Sequence, residues 1–296
     1  MNILITGSTG FLGKKLVSLF AQKDYNVYEL LRNNESLKKI SHNYATEKVI
    51  LEGSWEKILD KEFDFIFHAA TEYNRDGNST HKVIEANYSL PLRILERVKS
   101  PKTVFVYFDS FFNIENVKSN YLPDYCLTKK HFIEMAEVLS TNRKIVILKL
   151  FHIYGEGDSK SKFIPWLIQE VLSKKSEIKL SSGLQKRDFI YIDDVVRLVE
   201  KLISNPEKIE IGSLKLQVGT SVLHSIKELT QIVFNEATII DPYIKDNVKL
   251  MYGEEVEKGD KNLEYPAEIS KTSEMFGWTP EVSLNDGILR TIKSFL

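Results

Sequence analysis

The chain has 296 residues, 43% of them hydrophobic, and carries 40 basic against 41 acidic side chains, a net charge of −1. That balance excludes a broad electrostatic attraction to nucleic acid or to a membrane surface, so any anion site must be built locally. A single cysteine, Cys126, excludes an internal disulfide, and no apolar run approaches the ~20 residues that span a bilayer. The length suits one large domain or two medium ones sharing a core.

Asn2 to Thr6 (NILIT) reads as a short strand. It breaks into Gly7-Ser8-Thr9-Gly10-Phe11-Leu12-Gly13, and Leu12, Leu16, Leu19 and Phe20 follow at helical spacing. Strand, glycine turn and helix form the opening of a dinucleotide-binding unit. Gly7 would allow the tight turn, Gly10 the approach of a pyrophosphate, and Gly13 close packing of helix on sheet. Thr9, Phe11 and Leu12 belong to the same turn, whose helical amides would face the anion with the helix dipole behind them. The plainer alternative is a structural turn. With the first strand expected from residue 2 there is no room for a signal peptide, and the lone cysteine fits a reducing cytoplasm.

Tyr25 to Leu31 is the expected second strand, ending at Arg32. An acidic residue there would suit the ribose hydroxyls of NAD, whereas an arginine suits the 2′-phosphate of NADP. Arg32 therefore points to NADPH, with NADH kept as the alternative. Lys48 to Leu51 is a short third strand, followed by helix-like spacing through Trp55, Ile58 and Leu59. Phe63 to Ala70 is a buried fourth strand ending in His68-Ala69-Ala70, whose small residues leave room for a cofactor; all three are cofactor-site candidates, and His68 reads as a structural residue near the cofactor rather than as a base. Residues 80 to 99 form an expected helix with Asn87, a poor helix former, in its middle.

Thr103 to Phe108 is an apolar fifth strand that delivers Asp109-Ser110 at its carboxyl end, where open parallel sheets place their chemistry. Tyr125-Cys126-Leu127-Thr128-Lys129 opens the next helix, and the Tyr-x-x-x-Lys spacing puts both side chains on one face. Ile145 to Phe151 is the next strand, running into His152-Ile153-Tyr154-Gly155. Beyond Gly155 the rhythm changes: a helix over Ser161–Ser173, a strand at Glu177–Leu180, the stretch QKRDFIYIDDV with Asp193 as a helix cap, and a strand at Leu214–Val218. A helix from Ser225 to Glu236, a strand near Val248–Tyr252, a turn at Trp278-Thr279-Pro280 and a helix over Ser283–Phe295 complete a smaller lobe.

Ser110, Tyr125 and Lys129 are the catalytic candidates. Carbonyl reduction moves a hydride from a nicotinamide and a proton to oxygen. Tyrosine exchanges that proton best if its pKa falls from ~10 toward neutrality, which a lysine ammonium one turn away would favour. Ser110 would hold the reacting oxygen, and Lys129 would also hold the nicotinamide ribose. No metal site is expected.

The glycine spacing G-x-x-G-x-x-G, His68-Ala69-Ala70, Asn87, Ser110, Tyr125/Lys129, Tyr154-Gly155 and Arg187-Asp188 together resemble the extended short-chain dehydrogenase/reductases, the NAD-dependent epimerase/dehydratase family. The resemblance spans nearly the whole chain. It implies an α/β fold, a Rossmann-type doubly wound parallel sheet with a smaller interleaved C-terminal substrate lobe. The expected domains are 1–160 plus 189–219 for NADP and 161–188 plus 220–296 for a nucleoside-diphosphate sugar. By that likeness Asn87 is a polar anchor behind the active site and Arg187 meets the diphosphate. The family usually has Asn where His152 stands and Arg where Lys149 stands; a phosphate contact from His152 is the expectation here. A helix-paired homodimer is also implied, although the faces around Tyr88–Leu95 and Phe132–Leu139 could equally be core.

Within the family, sugar 4,6-dehydratases carry Asp-Glu where this chain has Phe111-Phe112, which cannot move protons. The 3,5-epimerase-reductases need a cysteine in this neighbourhood, where again only Phe is found. C4 chemistry remains. The run Asp109 to Asn113, the short gap to Tyr125 and the segments SKFIPWLIQE and QKRDFIYIDDV resemble the abequose/paratose synthase group. That group comprises 4-ketoreductases of CDP-linked deoxyhexoses in surface polysaccharide (O-antigen) biosynthesis. Phe111 and Phe112 would then offer an apolar wall to a deoxygenated sugar. The alternatives are an NAD-dependent 4-epimerase and a non-catalytic NADP-binding regulatory protein.

Overall fold

A computed structural model describes residues 1–40, 42–74, 79–113, 122–253 and 264–296. Its elements in chain order begin with β1 (Asn2–Thr6), α1 (Phe11–Gln22), β2 (Asn26–Leu31), α2 (Asn34–Leu37), β3 (Glu47–Ile50) and β4 (Phe65–His68). There follow α3 (Thr80–Ile84), α4 (Leu90–Arg97), β5 (Val104–Ser110), α5 (Pro123–Leu139), β6 (Lys144–Leu150), β7 (His152–Tyr154), α6 (Phe163–Leu172), β8 (Glu177–Leu180), β9 (Lys186–Arg187) and β10 (Phe189–Tyr191). The remainder comprises α7 (Ile192–Ser204), β11 (Gly212–Val218), β12 (His224–Ser225), α8 (Ile226–Ile240), α9 (Tyr243–Asn247), β13 (Lys249–Tyr252), α10 (Ser270–Phe276) and α11 (Leu284–Lys293).

Two units share these elements: Met1–Leu150, Val196–Gln217 and Lys271–Trp278 form the first, and Phe151–Val195, Val218–Ser270 and Thr279–Leu296 the second. The first is built on a seven-stranded parallel sheet in the order β11-β6-β5-β4-β1-β2-β3. Ile3 pairs with Val27 on one side and Phe65 on the other, so β1 is central. Ile3, Leu4 and Ile5 are wholly buried, as strands covered on both faces require. Strand order reverses at β1, which opens a crevice at the carboxyl ends of β1 and β4.

The single helix expected over 80–99 is broken. A π-turn over Glu85–Ser89 separates α3 from α4. Pro91 explains it: proline has no N–H to give the carbonyl four residues back, which belongs to Asn87. The Tyr107 hydroxyl donates to that carbonyl instead, at 2.9 Å. Asn87 is thereby held wholly buried inside the fold. Phe132 and Ala136 of α5 and Ile94 and Leu95 of α4 pack in the core with Phe105 and Tyr107, so these members of the two helix faces are interior.

The second unit has a core of its own, with Leu167, Ile168, Tyr191, Leu229, Val233 and Ile288 at its centre. Its strands pair as β7 with β10 and β8 with β13, both parallel, and β9 with β12 antiparallel. Asp193 does not cap α7: the helix begins at Ile192 and both Asp193 and Asp194 lie in its first turn. The carboxylate of Asp194 instead accepts the amides of Glu281 and Val282.

Candidate active site

The glycine turn comes first, because the sheet presents it at the crevice. Gly7 has φ +72°, and a Cβ there would strike the backbone of Ala69 and Ala70. A Cβ on Gly13 would strike the Gly7 carbonyl, so the close approach that fixes Gly13 is to the turn itself rather than to the sheet. Gly10 donates its amide to the Gly7 carbonyl at 2.9 Å and stands at the N-cap of α1 without a side-chain cap. Ser8 Oγ is buried there with no protein partner. A backbone cradle at a helix N-terminus with an orphaned hydroxyl fits a pyrophosphate.

His68 ties this region together. Its Nε2 meets the Ala86 carbonyl at 2.9 Å and so must carry the hydrogen, which leaves Nδ1 to accept from the Thr6 hydroxyl at 2.9 Å. Burial, and then the charge of Lys129, hold the imidazole down at about 3, so it stays neutral and structural. Thr6 Oγ1 also accepts the Ala70 amide at 3.2 Å, which seats Ala70 against Gly7. Arg32, just past β2, reaches Glu72 beyond β4 at 3.3 Å, with its side chain 58% exposed.

Ser110 and Tyr125 come together. The Ser110 side chain hydrogen-bonds the Tyr125 phenol and also accepts the Phe112 amide at 3.3 Å. Tyr125 and Lys129 are 5% and 4% exposed on the inner face of α5. Lys129 Nζ donates to the Phe108 carbonyl at 2.6 Å and lies 5.5 Å from the Tyr125 ring centre. Lowering of the Tyr125 pKa toward neutrality, expected from the lysine, is not found. Burial pushes the phenol well above its ordinary range, Tyr73 adds to this, and the Ser110 hydrogen bond only partly opposes it. The ammonium is engaged with the strand carbonyl. Burial lowers Lys129 itself to about 8, against the pull of Asp109.

Asp109 shapes the turn after β5. It is buried, and burial raises its carboxyl while Lys149 and Lys129 draw it down. It accepts from Asn113 Nδ2 at 3.2 Å, and Lys149 donates to the Asn113 carbonyl at 2.7 Å. Phe111 is 2% exposed and packs as core, with its ring edge-on to the half-buried Phe112 at 5.6 Å. Residues 114–121 of the connection to Tyr125 lie outside the described residues.

Sequence reasoning missed the segment after Ala70. The Asn87 carboxamide accepts from Thr71 Oγ1 and from the Glu72 amide, and donates to the Glu72 carbonyl and to Thr128 Oγ1. Tyr73 stacks on Tyr125 at 4.8 Å, and Asn74 Nδ2 donates to Asp124 at 2.6 Å.

His152 and Arg187 belong to the second unit. Arg187 is 9% exposed and donates to the Lys186 carbonyl at 2.7 Å. Burial, then the charge of Arg187, hold His152 at about 3, so its imidazole is neutral and would offer a phosphate one N–H without charge. Beside them the wholly buried Asp188 accepts from the amides of Thr220, Ser221 and Ala267 and from the Thr220 hydroxyl. Among the described residues no cluster of three or more His, Cys, Asp or Glu could hold a metal ion, and no helix is long and apolar enough to cross a membrane.

The model of the NAD dependent epimerase/dehydratase family matches residues 3–219. A CDP-abequose synthase of Salmonella muenchen is 30% identical, covering 98% of this chain and 96% of that one. A CDP-abequose synthase of Salmonella typhimurium is 28% identical over 98% of this chain and 97% of its own. Among solved structures, MoeE5 in complex with UDP-glucuronic acid and NAD superposes with a TM-score of 0.80 at 21% identity, covering 100% of this chain and 99% of that chain.

Proposed function

The chain belongs to the NAD-dependent epimerase/dehydratase family, and on that premise we propose that it is an NADPH-dependent reductase. Its substrate would be a nucleoside-diphosphate-linked 4-keto-6-deoxy or 3,6-dideoxy hexose, reduced at C4 for deoxysugar biosynthesis. One observation carries the reading: Tyr125 is buried as a neutral phenol hydrogen-bonded to Ser110. A ketone needs an acid, and this group stays protonated across the neutral range.

In this reading the glycine turn and Ser8 hold the pyrophosphate, Arg32 the 2′-phosphate, and Lys129 the nicotinamide ribose. When bound, NADPH supplies the hydride. Ser110 hydrogen-bonds the C4 oxygen and fixes it beside Tyr125. Tyr125 passes its proton to that oxygen as the C4 carbonyl becomes a hydroxyl, and its phenolate recovers a proton from solvent. Lys129, charged below about pH 8, stabilises the phenolate meanwhile. Arg187 would take the diphosphate and Phe112 an apolar face of the sugar. The two relatives named CDP-abequose synthase support cytidine as the base.

The test follows absorbance at 340 nm with NADPH and CDP-, dTDP- or GDP-linked 4-keto-6-deoxyhexoses, including a 3-deoxy member. NADPH loss with one of them establishes the reductase, and Y125F should abolish that loss while retaining NADPH. A regulatory protein would lose nothing in Y125F. A second reading, the NAD-dependent 4-epimerase, is favoured by the Arg32–Glu72 pair, which partly neutralises the expected 2′-phosphate partner. C4 inversion of a UDP- or CDP-hexose without added cofactor would select it.

A further inference from the structure

The segment that follows Ala70 touches the proton donor directly. Tyr73 lays its ring on that of Tyr125, with centroids 4.8 Å apart and planes 23° apart, a stacked pair. Its neighbour Asn74 is fixed from two sides: Nδ2 donates to Asp124 Oδ2 at 2.6 Å, and Oδ1 accepts the Ser79 amide at 2.8 Å. Thr80 Oγ1 donates to the same Asp124 oxygen at 3.2 Å. The other Asp124 oxygen accepts the Tyr125 amide at 2.9 Å. Upstream, Asn87 grips Thr71 and Glu72 from inside the π-turn and reaches Thr128 on α5. Asn74 takes φ +50°, a left-handed conformation that Asn tolerates better than most residues. The segment is therefore pinned on both sides of Tyr73, and each pin ends on α5 within one turn of Tyr125.

We propose that Tyr73 is a positioning residue for Tyr125: its stacked ring, held by the Asn74–Asp124 clamp, fixes the orientation of the phenol and keeps water off one face. The proposal rests on the reading of Tyr125 as proton donor. Aromatic pairs of this geometry stabilise each other beyond their buried area. In this proposal the stacked ring orients Tyr125 and the Tyr73 hydroxyl is not required, which separates Y73F from Y73A.

Tyrosine labelled with 13C at Cζ reports the ionisation of each phenol in the full chain, and Y125F assigns the Tyr125 signal. In wild type and Y73F that signal should stay un-ionised through the ordinary tyrosine range near ~10. In Y73A it should begin to titrate at lower pH. With NADPH and a CDP-linked 4-keto-3,6-dideoxyhexose, kcat should fall roughly 10- to 100-fold in Y73A while KM for NADPH moves little, and Y73F should restore kcat. A Y73A protein with the wild-type titration overturns the proposal, as does a Y73F protein as impaired as Y73A. If the wild type reduces none of the keto sugars yet Y73A shifts the titration, the stack stands and the reductase reading falls.

Discussion

Raising the pH should switch the enzyme off through Lys129 rather than through Tyr125. Burial holds the lysine at about 8, whereas it drives the tyrosine well above its ordinary value. At pH 7 the ammonium is then about nine-tenths populated and at pH 9 about one-tenth, with each further unit costing another factor of ten. If its charge stabilises the developing phenolate, log kcat/KM for NADPH should be flat up to about 8 and then fall with a slope of −1. That parameter reports the free protein, the state to which the value belongs. Replacing Lys129 by Met should lower the rate at all pH values, by a factor on the order of 10² or more, and remove the limb. The sign also runs through stability. The folded pKa lies below the unfolded value of 10.5, so the unfolded chain binds the extra proton between the two. This group therefore costs stability most below about pH 8, on the order of 3 kcal/mol, and the cost is relieved as pH rises toward 10.5. The reasoning is refuted by a limb that survives in K129M, or by a wild-type profile still flat well above pH 9.

Three further outcomes are expected. Alanine at Gly13 forces a Cβ into the Gly7 carbonyl, so the turn must open; NADPH affinity, read by quenching of protein fluorescence, should weaken by about 10-fold or more with the thermal transition still cooperative. R32A should weaken NADPH by roughly 10-fold and leave NADH unchanged, since a charge-assisted phosphate contact is lost, whereas E72Q should tighten NADPH by about two- to five-fold, the range of an exposed ion pair. Asparagine at Asp188 presents one acceptor to four donors in a wholly buried site, so unfolding in urea should show a loss of about 3 kcal/mol, while D188E would fail for want of space beside Gly219.

What was legible in the chain is what periodicity and small residues encode. Ile3, Leu4 and Ile5 of β1 are apolar in succession because the strand is covered on both faces, and the glycines are spaced by the contacts that Gly7 and Gly13 make. Ser110, Tyr125 and Lys129 were readable because a strand end and a helix face put them in order. The break at Pro91 follows from its missing N–H, which the apolar spacing on either side masks. Other features depend on contacts that sequence distance hides. Asn87 meets Glu72 across 15 residues, Asn74 meets Asp124 across 50, and Asp188 gathers amides from Thr220 and Ala267. The Tyr125 electrostatics are hidden in the sequence for a related reason. Spacing puts the lysine near the tyrosine but does not say that its Nζ is drawn to Phe108, nor how dry the phenol is.

Reductase and 4-epimerase can share Ser110, Tyr125 and Lys129, so the choice between them turns on how the chain sets two other quantities. The first is the resting protonation of Tyr125. An epimerase starts from an alcohol and needs a phenolate, which an oxidised, positively charged nicotinamide helps to form. A reductase starts from a ketone with a neutral reduced ring, and needs the phenol as burial leaves it. The second is how firmly the cofactor is held, because an epimerase must keep it and a reductase must exchange it at every turnover. Glu72 competes for Arg32 from the far side of β1, so a 2′-phosphate seated on Arg32 would be held less tightly than by a lone arginine. A weaker grip on the 2′-phosphate costs an NADPH-dependent reductase affinity and costs an NAD-dependent epimerase nothing. The neutral phenol thus favours the reductase, whereas the contested arginine favours the epimerase. They act through separate residues, so each can be altered without the other.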